Sequence, residues 1–173
     1  MNIAVLYESL YGNTERVANS IAEGLRSAGH VTVTEVGAAQ AGLAEGVDLL
    51  VVGAPTHGRG MSTPESRGSV KGRGPSIGIR EWLEGADKTD GRSAAVFDTR
   101  FDKPRWLTGS AALRIARKLE GLGYQVVLPP ESFFVGHTEG PLADGEEARA
   151  TRWGMKLAGT HDEPVPVRMR SGR

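Results

Sequence analysis

The sequence predicts a doubly wound α/β domain: a five-stranded parallel sheet with helices on both faces, in three layers. Three observations carry this. Apolar runs alternate with helix-period segments along the chain. Three of the runs are apolar on both faces, as strands covered from either side are. The first run, Ile3-Ala4-Val5-Leu6-Tyr7, passes through a short hydroxyl-rich loop into an amphipathic helix.

The elements follow in order. The first strand is placed at 3–8, and the first helix at 14–28, where Val17, Ala18, Ile21, Ala22 and Leu25 share a face. Val31–Val36 alternates Val with Thr and reads as the second strand. A short, weak helix is expected over Gln40–Glu45. The third strand is Val47–Gly53, around the run Leu49-Leu50-Val51-Val52. Ala54–Pro75 is a long connection rich in Gly, Pro, Ser and Arg, and connections of that length are commonly functional. Residues 76–87 carry Ile77, Ile79, Trp82 and Leu83 at partly helical spacing, and Ser93–Asp98 is the fourth strand. Leu107, Ala111, Ile115 and Leu119 recur every fourth residue and predict one continuous helix, closed by Gly121 and Gly123. Gly109 weakens only its first turn. Tyr124–Leu128 is the fifth strand, which Phe133-Phe134-Val135 resumes beyond Pro129-Pro130. The last helix covers 143–158, with Ala150, Trp153 and Leu157 inward and Gly159 at its end. Residues 1–162 are expected to form one domain, and 163–173 an extended basic tail.

Composition narrows the function. The 173 residues suit one domain with a sizeable core. Lys plus Arg and Asp plus Glu both number 21, so a nucleic-acid binder, which shows a basic excess, is disfavoured. No cysteine is present, which removes disulfides, thiolate metal sites and thiol nucleophiles. His30, His57, His137 and His161 are scattered, and no metal-ligand spacing occurs. Neither Gly-x-Ser-x-Gly nor His-Glu-x-x-His is found, and no Gly-x-Gly-x-x-Gly follows the first strand. No catalytic residue is nominated. No charged leader precedes an apolar stretch and no apolar run reaches membrane-spanning length, so a cytoplasmic protein without membrane contact is expected.

The loop Ser9-Leu10-Tyr11-Gly12-Asn13-Thr14 carries the chemistry. A strand, a short loop with hydroxyls and glycine, then a helix leaves free backbone N–H groups that can cradle an anion. Ser9 and Thr14 add hydroxyl donors, and Gly12 allows close backbone approach. The nearest cation, Arg16, stands outside the loop, so neutral donors and the helix field would hold the anion. A plain turn in which Thr14 caps the helix is the other reading.

This loop resembles the phosphate loop of the flavodoxin family, with Ser9, Gly12, Asn13 and Thr14 on the pattern and Tyr11 where Thr is usual. The resemblance implies a sheet order of 2-1-3-4-5, a split last strand as in longer members, and FMN bound without a covalent bond. Ligands in such folds sit beyond the carboxyl ends of the strands. The loops after the third and fourth strands therefore join the site: Pro55, Thr56, His57, Gly58, Arg59 and Gly60 from one, Thr99, Arg100 and Phe101 from the other. The family's Trp and Tyr beside the flavin are missing from the obvious places, and His57, Arg59 and Phe101 are the expected substitutes. Pro55-Thr56 also resembles a turn of flavodoxin-like quinone reductases. A redox-linked peptide flip at Gly58 or Gly60 is implied by the family.

Bland roles stand beside these: a surface His57, a core plug for Phe101, solvated faces for Arg59 and Arg100. Arg67, Lys71, Arg73 and Arg80 read as a basic patch in or beside the long connection, either to steer an acidic partner or an NADPH phosphate or as a plain charged surface. Trp106 reads as either a shield for the site or an anchor of its helix against the sheet. The expected function is electron transfer through FMN, with a redox partner protein or a small-molecule electron acceptor, as monomer or homodimer. Zero net charge leaves room for an NAD(P)H-dependent quinone or flavin reductase. A non-enzymatic fold with a decayed flavin site that binds a protein partner is the third reading.

Overall fold

The computed structural model describes residues 1–39, 42–70 and 77–160. In chain order the elements are β1 (Asn2–Tyr7), α1 (Asn13–Leu25), β2 (His30–Glu35), β3 (Leu49–Pro55), α2 (Pro64–Gly68) and α3 (Ile79–Glu84). They continue as β4 (Ser93–Phe101), α4 (Arg105–Thr108), α5 (Ala111–Gly121), β5 (Gln125–Val126), β6 (Glu131–Val135) and α6 (Glu146–Gly159). The sheet order is β2-β1-β3-β4-β5, every pairing is parallel, and β6 continues the fifth position by pairing with the far half of β4. The expected order and the resumed last strand are both present. No helix among the described residues is long and apolar enough to cross a membrane.

Burial on both faces explains the continuous apolar strands. Val5, Val51 and Phe97 point to the side covered by α1 and α6. Leu6, Val52 and Val96 point to the side covered by α3 and α5. On the first side Phe97, Phe133 and Trp153 meet edge to face, with centroids 6.1, 6.3 and 6.4 Å apart. Helices α1 and α6 cross at a pair of glycines: a Cβ on Gly24 would overlap the Thr151 carbonyl, and one on Gly154 the Ile21 carbonyl.

The structure corrects several expectations. The continuous fourth helix is two elements. Gly109, at φ 70°, leaves the helical region, and Ser110 starts α5 afresh by accepting the Leu113 amide at 3.3 Å. Leu107 and Ala111 thus match a helical period without sharing a helix. Trp106 is 80% exposed and anchors nothing against the sheet. The third helix spans only Ile79–Glu84 of the predicted 76–87. Gly159 lies inside α6 rather than beyond it. Arg67 is not a surface cation but is 1% exposed. Within the 54–75 connection, Pro64–Gly68 forms α2, with Thr63 as its cap and Pro64 at the first position. Part of the weak helix at 40–45, Lys71, Arg73 and the 163–173 tail lie outside the described residues.

The start of α6 is tied to β6 by charge. Glu146 accepts the Phe134 amide at 2.7 Å and a bond from Arg149 at 2.7 Å, and Arg149 reaches Glu131 at 2.5 Å. Burial alone would raise the Glu146 carboxyl, but the bonds from Arg149 and Phe134 outweigh it and hold the group below its ordinary 4.5. A lowered carboxyl contributes stability above its unfolded value and loses it as pH falls through the folded one. The urea midpoint should therefore drop more steeply below pH 4.5 in the natural protein than in Glu146→Gln, when both are unfolded across that range. Gly154→Ala should cost about 1–3 kcal/mol by overpacking the α1–α6 crossing, read from the same urea curves at neutral pH.

Candidate functional site

A cavity of about 390 Å3 opens at the carboxyl edge of the sheet, where β1, β3, β4 and β6 end. That size falls in the range of small-molecule sites. Leu10, Tyr11, Asn13 and Thr14 form one side; Pro55, Thr56, His57, Gly58 and Arg59 form the second; Thr99, Arg100 and Phe101 close it. The structure thus brings three sequence-distant loops together. Ser9, Gly12 and Gly60 belong to these loops without lining the cavity.

The first loop leaves donors unspent. Among the described residues, the amides of Leu10, Tyr11, Asn13 and Thr14 donate to no protein acceptor. Ser9 Oγ accepts the Gly12 amide at 3.1 Å and the Glu15 amide at 3.4 Å, which leaves its proton to give. Gly12 takes φ 86°, and nothing lies within 4 Å of where its Cβ would be. An orphaned row of amides beside open space, at the start of a 13-residue helix, has the donors that can cradle an anionic group. Thr14 is buried, and its Oγ1 lies 2.8 Å from Thr99 Oγ1, so the two hydroxyls order each other. The Asn13 side-chain amide donates to the Glu139 carbonyl at 3.0 Å and packs against Gly140. Arg16 is turned away, paired with Glu147 at 2.7 Å. Burial, then the charges of Glu15 and Glu35, push the Tyr7 phenol beneath the loop up to about 12.

The second loop is a tight turn. His57 donates its amide to the Gly60 carbonyl at 2.7 Å and accepts the Gly60 amide at 2.9 Å. The two central residues have positive φ, 51° for Gly58 and 70° for Arg59. That is the pattern of a type I′ turn, and Arg59 adopts it at a steric cost. Thr56 is locked from below: its hydroxyl donates to Asp98 at 3.1 Å and accepts the Ala111 amide at 2.9 Å.

Of the third loop, Phe101 is exposed at the mouth and is not a core plug. Arg100 is not a solvated face. Its Nη1 donates to the Phe101 carbonyl at 3.1 Å, the Lys103 carbonyl at 2.6 Å and Thr108 Oγ1 at 3.1 Å, and its Nε to Ser132 at 3.0 Å. Burial lowers its basicity, partly offset by Asp98. The wall also holds Leu107, Thr108, Val135 and Thr138, which sequence reasoning missed. Val135 was within reach, because it ends a recognised strand segment and strand ends meet at this edge.

Beneath the site lies a second polar layer. The Glu8 carboxylate, 1% exposed, accepts the Ser62 hydroxyl and the Ile79 amide, the latter at 2.9 Å. Arg67 donates to Ser62 at 2.8 Å and to Glu81 at 2.8 Å. Glu8 therefore ties Ser62 to the start of α3 instead of serving as an acidic centre. Among the described residues no group of His, Asp and Glu could hold a metal.

The family model described as Flavodoxin matches residues 5–153. This chain belongs to the flavodoxin family. No protein of curated function matches it by sequence. Among solved structures it resembles a flavodoxin from the domain Archaea, at 20% identity over 94% of this chain and 100% of that one, with a TM-score of 0.72. It also resembles the oxidised flavodoxin 2 of Bacillus cereus, at 21% identity over 94% and 98% of the two chains, with a TM-score of 0.68. The metal-soaked Flv1 flavodiiron core from Synechocystis sp. PCC6803 matches at 22% identity over 94% of this chain and 36% of that one, with a TM-score of 0.64. At these identities the likeness speaks for the fold. Family membership supports a general FMN-binding, electron-transfer role.

Removing the cation of the lower layer tests its weight. Arg67→Met removes the bonds that Arg67 donates to Glu81 and Ser62 and should cost about 3–5 kcal/mol, as breaking a buried charge pair does. Urea unfolding monitored by circular dichroism reads that loss.

Proposed function

We propose that this flavodoxin-family chain holds FMN in the carboxyl-edge cavity and passes electrons between that flavin and a redox partner protein or a small-molecule acceptor. The observation that carries the reading is the row of unspent amides at Leu10, Tyr11, Asn13 and Thr14, beside the space over Gly12. These donors match a phosphate ester. The rest of the cavity matches a flat, largely apolar ring, with Leu10, Phe101, Leu107 and Val135 as apolar walls. Backbone groups of the 57–60 turn and the 99–101 segment supply polar contacts at the ring's edge. When bound, FMN supplies one- and two-electron redox chemistry. The protein fixes its place and its field.

In this arrangement Ser9 and Thr14 donate hydroxyl protons to the phosphate, and Thr99 holds Thr14 in the rotamer that does so. The His57 imidazole and the Arg59 side chain stand on the wall where a ring edge would lie. Zero net charge favours one variation on the theme, in which the chain works directly as an NAD(P)H-dependent quinone or flavin reductase. A strongly acidic shuttle would oppose formation of anionic reduced flavin through its whole-protein field, and this chain has no such excess.

Titration of the apo-protein with FMN and with riboflavin, followed by flavin fluorescence, tests the reading. FMN should bind at least tenfold more tightly than riboflavin. Thr14→Val should weaken FMN by about 1.5–3 kcal/mol, the worth of a hydrogen bond to a charged group, and leave riboflavin nearly unchanged. Equal affinity for the two flavins would remove the phosphate cradle, and no binding of either would favour the decayed-site alternative. Rapid NAD(P)H oxidation with a quinone and no partner protein would select the reductase.

A further inference from the structure

We propose that Asp98 and Arg100 form a charge-compensated back wall to this cavity and set the reduction potential of a flavin bound there in opposite directions. The proposal rests on the FMN reading above and names two residues that tune it.

Asp98 is fully buried near the end of β4, level with Ala54 on β3 and Ser132 on β6. One carboxylate oxygen, Oδ2, accepts three bonds: from Ser110 Oγ at 2.6 Å, the Ala112 amide at 3.0 Å and Thr56 Oγ1 at 3.1 Å. Two of those donors begin α5 and the third stands on the cavity wall. Asp98 thus joins the loop after β3 to the helix after β4. Its other oxygen, Oδ1, is buried with no hydrogen-bond partner among the described residues. The Arg100 Nε, 4.0 Å away, is the cation that faces it.

Arg100 lines the cavity, and Asp98 stands one layer behind. Apart from Asp98, the guanidinium touches only neutral acceptors: two carbonyls and the Thr108 and Ser132 hydroxyls. Arg105, the nearest like charge, opposes it and is exposed. Asp98 is thus the buried carboxylate that faces the guanidinium, and the exposed Asp102 adds a smaller attraction. Solvent ions screen such a pair poorly.

Reduction of a flavin adds two electrons and, in the anionic product, one proton, leaving one net negative charge on the ring. A buried carboxylate behind the ring disfavours that charge, and a guanidinium beside it favours it. With both present the contributions nearly cancel. With one removed, the survivor acts alone. A residue that merely holds the wall in shape would not give shifts of opposite sign.

The test is a potentiometric titration with dithionite of the FMN-loaded natural protein, Asp98→Asn, Arg100→Gln, Arg100→Lys and the Asp98→Asn/Arg100→Gln double variant. Asp98→Asn should favour binding of reduced over oxidised flavin by at least tenfold, a rise of about 30 mV in a two-electron midpoint. Arg100→Gln should shift the ratio as far the other way. Arg100→Lys and the double variant should lie within twofold of the natural protein. Shifts of the same sign in the two single variants overturn the proposal, as do shifts below twofold in both. If Asp98→Asn does not fold, the contrast of Arg100→Gln with Arg100→Lys decides, since only the first loses the charge. Failure of the natural protein to bind FMN overturns the functional reading and this proposal together. Normal FMN binding with unmoved potentials overturns this proposal alone.

Discussion

All strands of this sheet run in one direction, and that constraint shapes everything else. Their carboxyl ends meet at one edge, and each must hand its chain to a loop whose backbone groups need partners. The buried polar side chains gather there: Glu8 follows β1, Asp98, Thr99 and Arg100 end β4, and Ser132 lies in β6 beside them. The middle of the sheet, by contrast, is Val, Leu, Ala and Phe on both faces. A polar edge on an apolar body is what gathers the loops that line the carboxyl-edge cavity.

That edge is built in two layers. The upper one is mostly backbone: the amides after β1 and the tight turn at 57–60. The lower one is side chain. Glu8 with Ser62 holds the segment returning from β3, and Asp98 with Thr56 and Ser110 holds the start of α5. The division has a physical reason. Loop amides that stay unspent for a ligand cannot also hold the loop in place, so buried carboxylates underneath do the holding. Each buried carboxylate costs desolvation, and each is met by several donors that offset it.

How much of this was legible in the sequence depends on the range of the interaction. The strand order, the first loop and the resumed last strand follow from local pattern and a family likeness carried by Ser9, Gly12, Asn13 and Thr14. Three-dimensional pairing stayed hidden. Arg67 looks like surface charge in a run with Lys71 and Arg73, and its bonds to Ser62 and Glu81 show why it is buried. Arg100 looks free until the Lys103 and Ser132 acceptors are seen. The break at Gly109 was masked by the periodicity of Leu107, Ala111 and Ile115, since spacing alone does not show whether a backbone stays helical. Leu107 and Thr108 consequently escaped as wall residues. They lie before the break, on a short element that the pattern had merged into α5.

The chain's electrical neutrality takes on a different meaning once its buried charges are located. Glu8 meets the Ser62 hydroxyl, Glu81 meets Arg67, Asp98 meets Arg100, and Glu131 and Glu146 meet Arg149. Arg16, the cation nearest the first loop in sequence, is held by Glu147. So charge is settled locally, and the anion cradle is left with neutral donors fixed by backbone geometry. Binding at such a cradle rests on dipoles at short range instead of the long-range attraction of lysines and arginines. Its affinity should therefore change little with salt, and its selectivity should follow the shape of the ester group more than its charge alone.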